Sequence, residues 1–96
     1  MYLCPIEYYP NCRGHDGGYY NGVEFFKTTE DLLYYALKQI DEYVILDIYD
    51  SSGRKVGKVE YEISSHRCSG IKITIDDKKY RTIDNGKGNL IWSREN

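Results

Sequence analysis

The chain has 96 residues, which is enough for one domain with a modest core and too few for two. Net charge is −2, and no run of like charge extends beyond two or three residues, so an acidic or basic interaction tail is excluded. No apolar stretch approaches the ~18 residues that a membrane-spanning helix needs.

The chain does not open on a charged start followed by an apolar run, so no signal peptide is expected and a cytoplasmic location is the default. In that compartment Cys4, Cys12 and Cys68 are expected as thiols or metal ligands rather than disulfides, and the odd count agrees. Residues 1–50 carry nine acids and three bases, and residues 51–96 carry six acids and ten bases. Attraction between the two halves of one domain accounts for this more simply than a charged partner. Tyrosine, with 11 copies, is the compositional outlier. Alongside abundant Ile, Lys, Asn and Asp, AT-rich coding DNA explains part of that excess.

Residues 1–22 read as an ordered but irregular lead-in. Pro5, Pro10, Gly14, Gly17, Gly18 and Gly22 break any periodicity. Tyr2, Leu3, Ile6, Tyr8, Tyr9, Tyr19 and Tyr20 nevertheless supply far more apolar surface than a disordered tail would. A short strand near Tyr2–Ile6 fits within it. Residues 23–27 (VEFFK) read as a strand. Thr28 or Thr29 then caps a helix running to about Asp41, with Glu30 and Asp31 opposing the positive end of its dipole. Leu33, Ala36, Leu37 and Ile40 fall on one stripe with Leu32 at its flank, which leaves Tyr35 facing water.

Residues 43–63 form the central β-hairpin. Val44, Leu46 and Ile48 alternate with polar or outward positions, residues 50–53 make the turn, and Val59, Tyr61 and Ile63 resume the alternation. Ile71, Ile73 and Ile75 mark a further strand. Asp76-Asp77 turns the chain into Tyr80–Ile83, and a Gly/Asn loop leads to Leu90–Trp92, beyond which Arg94–Asn96 should fray. The expected fold is therefore α+β: a small antiparallel β-meander in the order β-α-β-β-β-β, formed by residues 23–96 of a single 1–96 domain. The helix covers one face, and a Tyr-, Gly- and Cys-rich segment leads in.

Chemistry-bearing residues are sparse. Cys12-x-x-His15 has the short spacing of a metal knuckle, and His66-x-Cys68 is the only other Cys/His group. The second half of a zinc motif normally repeats a two-residue gap, and that gap is missing, so separate thiols and loop histidines are preferred and no cofactor is expected. Cys12 and Cys68 each have a histidine nearby, yet neither stands at a helix N-terminus where a thiolate would be favoured. Glycines at 14, 17 and 18 match no phosphate-binding pattern.

The leading functional expectation is a non-enzymatic protein that binds another protein. An inhibitor of a host defence system carried by a phage or mobile element, an anti-CRISPR included, fits this class. Tyr8, Tyr9, Tyr19, Tyr20 and Tyr35 are the candidate contact residues, since tyrosine supplies contact area together with a polar handle. One alternative is a nucleic-acid binder that uses Lys58, Lys72, Arg81 and Tyr80 on the outer sheet face; the pI of 5.6 and the interleaved Glu60 and Glu62 weigh against it. The other is a small thiol- or zinc-dependent enzyme.

Overall fold

A computed structural model describes residues 1–8, 21–64 and 67–95. Among these the order is β1 (Tyr2–Tyr8), β2 (Asn21–Phe26), α1 (Thr29–Lys38), β3 (Tyr43–Ile45), β4 (Asp47–Asp50), β5 (Lys55–Ser64), β6 (Arg67–Ile75), β7 (Lys78–Asp84) and β8 (Leu90–Glu95). All pairings are antiparallel. β4 to β8 form an antiparallel meander as expected, though of five strands where the expected order has four after the helix, and β1 extends the sheet beyond β4, with β2 outside it.

The short strand expected near Tyr2–Ile6 is present and runs on to Tyr8, while residues 9–20 of the expected lead-in lie outside the described residues. β1 is an interior strand, and Cys4 and Ile6 on alternate positions are buried at 0% and 2% exposure. Rather than fraying, Arg94 and Glu95 pair with Tyr80 and Lys79 in β8.

The expected strand over residues 43–49 is broken, and Pro5 explains the break. Ile6 pairs with Ile45, but Leu3 pairs with Tyr49, so the register slips by one residue across Cys4–Pro5. Proline has no N–H to give to a neighbouring strand and inside sheets is confined to edges and bulges. Its carbonyl still works, accepting from Leu46 N–H at 2.9 Å. The extra residue turns Leu46 outwards, against its expected place in the core, and brings Ile45 inside, while Val44 and Ile48 are buried as expected. A second register shift, between Glu62 and Ile63, likewise leaves Ile63 exposed.

The remaining alternation holds. Ile71, Ile73 and Ile75 are buried, with Val59, Tyr61 and Tyr80 packed against the same core. Burying one such isoleucine contributes about 1.5–3 kcal/mol. Across β5, β6 and β7 the opposite face carries Lys58 beside Thr74 and Lys79, and Glu60 beside Lys72 and Arg81.

α1 touches both outer strands of the sheet. Seven strands lie on the path from β2 to β8, and at ~4.8 Å per step a flat sheet would hold those edges about 29 Å apart. Yet Phe26 of β2 lies against Tyr35, with ring centroids 5.1 Å apart, while Trp92 of β8 donates its indole N–H to the Leu33 carbonyl at 2.8 Å. Leu33 and Tyr35 are two positions apart on one helix, so both sheet edges converge on it.

Thr28 caps the N-terminus of α1, its hydroxyl accepting from Asp31 N–H at 3.1 Å. The helix ends at Lys38 rather than Asp41, and its buried residues are Leu32, Leu33 and Ala36. Relative to the expected stripe, the helix is rolled towards Leu32 by about 40°, less than half the ~100° step per residue.

A candidate docking surface on the helix

This roll decides which aromatic faces outwards. Tyr35, expected in water, is half-buried against Phe26 and the core. Tyr34 takes the outward position and is 65% exposed. Leu37 is rolled out of the core to the rim, beside Leu33 and Trp92.

Together Glu30, Leu33, Tyr34, Leu37, Lys38 and Trp92 line an open groove of about 440 Å³. Its floor is apolar. Glu30, in the first helical turn, sits at one end and Lys38, in the last turn, at the other. Both charges oppose the helix dipole at their own end, so both are placed where the helix favours them. The Lys38 ammonium lies over the Tyr34 ring, 5.4 Å from its centroid, which holds the exposed ring in place. The Trp92–Leu33 hydrogen bond fixes the far wall.

The other sequence-derived candidates fall elsewhere. Tyr8 is half-buried and meets Tyr43 edge to face, with centroids 5.4 Å apart, so it serves the fold more than a surface. Tyr9, Tyr19 and Tyr20 lie outside the described residues, as do Cys12, His15 and His66. Cys68 is disulfide-bonded, against the expectation of a free thiol or metal ligand. Cys4 is a free cysteine sealed in the core, and burial pushes its thiol up to about 12. It therefore offers no thiolate near neutral pH. Burial also pushes the Tyr61 phenol up to about 12, its hydroxyl being engaged by Ile45 N–H. Among the described residues no three His, Cys, Asp or Glu side chains gather as a metal site would require.

On the outer sheet face the basic residues are interleaved with acids. Lys58 pairs with Glu60 at 3.1 Å, Lys55 with Asp47 at 3.0 Å and Arg81 with Glu95 at 3.9 Å. Tyr80, expected among them as a stacking platform, stands opposite Ile73 on the buried face. Base stacking on that face by Tyr80 is thereby removed.

Tyr34 could have been singled out from sequence only by knowing how the helix rolls. Phe26, just ahead of the helix, and Trp92, far beyond it in sequence, both pack on α1 in this orientation. Comparison with protein-family models, with curated proteins and with solved structures found no match to this chain.

Proposed function

We propose that this chain is a non-enzymatic protein-binding domain whose partner docks on the outer side of α1 beside Trp92. The observation that carries the reading is Tyr34, 65% exposed next to the apolar side chains of Leu33, Leu37 and Trp92. A large aromatic held over an apolar groove is the kind of feature on which binding energy concentrates. The charged groups at the groove ends give such a surface orientation as well as area.

The test is a comparative capture from an extract of the source cells, using the parent, Tyr34→Asp and the outer-sheet variant Lys72→Glu as baits. A protein retained by the parent and by Lys72→Glu, but lost with Tyr34→Asp, supports the reading. A partner lost with Lys72→Glu and kept by Tyr34→Asp moves the docking surface to the sheet and overturns it.

A further inference from the structure

β2 is an edge of the sheet, with β1 along one side. Among the described residues no strand lies along its other side, and no loop or helix backbone bonds to Val23 or Phe25. Pro5 reveals which backbone groups of β2 are left open. Its carbonyl points away from β2, since it accepts from Leu46 N–H. In an antiparallel strand the N–H and C=O of one residue point to the same side, and the side alternates along the chain. Cys4 and Ile6 therefore bond to β2, through Glu24 and Gly22, whereas Val23 and Phe25 stand opposite Pro5 and Leu3 without exchanging bonds. Asn21, Val23 and Phe25 consequently turn their N–H and C=O towards the open edge. The side chains of Val23 and Phe25 are exposed as well, at 49% and 62%, on the sheet face that carries Leu3 and Pro5.

Edges that stay single are normally guarded by proline, lysine or a bulge. β2 has none of these between Asn21 and Phe26, and its register with β1 is unbroken. A row of open donors and acceptors on alternate residues is matched by the backbone of another extended strand. We propose that this strand is β2 of a second copy of the chain, paired antiparallel about a two-fold axis at Val23.

The register follows from the sequence of β2. Centred on Val23, the pairing uses the whole open row: Val23 exchanges both bonds with Val23 of the second copy, and Asn21 does so with Phe25, in each direction. Glu24 stands opposite Gly22, so no like charges meet. A two-fold at Glu24 would set two carboxylates side by side. One at Gly22 leaves Phe25 out of the pairing, and one at Phe25 sets Val23 against Lys27, beyond the end of the strand. On the outer face the Val23 centre places valine against valine, with each Phe25 ring in diagonal reach of the second copy's Val23. The apolar side chains of both copies then form one patch, bordered by Leu3 and Pro5. The two-fold contact is closed, so assembly stops at the dimer. One strand edge per copy buries well below the ~1,600 Å² of a standard interface, so the dimer is concentration-dependent. The α1 face stays free.

The experiment is sedimentation velocity across a concentration series on the parent, Val23→Lys, Val23→Glu, an equimolar mixture of those two variants, and Tyr34→Asp. Thermal melts establish that each variant is folded. The expected result is a reversible monomer–dimer equilibrium in the parent, unchanged in Tyr34→Asp. Each Val23 variant alone sets like charges directly opposite one another and should weaken the dimer by about fivefold or more. The mixture should recover it as a heterodimer, because the opposed charges then differ in sign. Recovery on mixing requires that position 23 faces itself across the axis, so it reports the register as well as the contact. A parent that is monomeric throughout the series overturns the proposal without reference to any variant. So does a dimer that both Val23 variants retain, or a mixture that stays monomeric. A dimer lost in Tyr34→Asp and kept in Val23→Lys moves the contact to the helix and overturns it too. Capture of a different protein through Tyr34 is read separately, so the docking surface on α1 stands or falls independently of this dimer.

Discussion

The backbone N–H of Ile45 donates to the hydroxyl of Tyr61 at 2.8 Å, across the gap that opens where β3 parts from β5. Ile45 is 2% exposed, so this donor has no access to bulk water. The phenol takes the place that a carbonyl would fill in a continuous ladder. Tyr61→Phe keeps the ring and its packing but leaves the buried donor unsatisfied. It should cost about 1–3 kcal/mol, read as a lower urea midpoint with an unchanged slope. An unchanged midpoint would show that the kink is not held by this bond.

Gly57 marks a second close approach in the same region. It sits opposite Ile75 in the ladder, and a Cβ built on it would collide with the Thr74 carbonyl oxygen. Backbone cannot yield as a flexible side chain can. Gly57→Ala should therefore destabilise the fold by about 1–3 kcal/mol or more, despite adding apolar surface. The same substitution at Gly70 meets the Thr82 hydroxyl at 3.1 Å and should be milder. Equal melting temperatures for the two variants would contradict this ordering.

Much of the architecture is legible in local pattern. The alternation of Ile71, Ile73 and Ile75, the Asp50–Gly53 turn and the Thr28 cap each depend on residues within a few positions of one another. What misleads is action at a distance. Pro5 breaks a strand 40 residues further on, and no periodicity in residues 43–49 announces that Leu46 will turn outwards. In the same way, Phe26 and Trp92 pack on α1 with the expected roles of Tyr34 and Tyr35 exchanged. The docking surface inherits this difficulty, since Trp92 meets the helix only through the tertiary fold.

Asp50 gives the hairpin turn a pH dependence. Its carboxylate accepts from the Ser52 hydroxyl at 2.6 Å, from Ser52 N–H at 2.9 Å and from Arg54 N–H at 3.0 Å. The Ser52 hydroxyl leads in holding the carboxyl below its ordinary value, followed by Arg54 N–H, with a smaller contribution from the Arg54 charge. The folded carboxyl binds its proton less tightly than the unfolded one. The turn's contribution is therefore present above the unfolded value of about 4 and is lost as pH falls through the folded value. Asp50→Asn removes that titration while keeping an acceptor oxygen. The difference in melting temperature between parent and variant should shrink as pH is lowered through this window. A difference constant with pH would show that the turn bonds do not favour the charged form.

Tyr34 and Tyr35 offer the sharpest separation of surface from core, because they are neighbours of one residue type on one helix. Tyr34 is 65% exposed and touches the rest of the fold chiefly through the Lys38 ammonium over its ring. Exposed cation–π contacts contribute about 0.5–1 kcal/mol. Alanine also has a higher helix propensity than tyrosine, which offsets part of that loss. Tyr34→Ala should therefore leave the melting temperature nearly unchanged. Tyr35 packs on Phe26 and the core cluster, and Tyr35→Ala removes an aromatic from between the helix and the β2 edge. Its cost should be about 2–4 kcal/mol, towards the lower part of the range for large-to-small changes because the ring is only half-buried. Binding should show the reverse order: about 1–2 kcal/mol or more lost with Tyr34→Ala at full stability, and a loss with Tyr35→Ala that tracks unfolding. Thermal melts of the two variants decide the first half before any partner is in hand. If Tyr34→Ala proves the more destabilising, α1 is rolled the other way, and the groove beside Trp92 loses the residue on which its role depends.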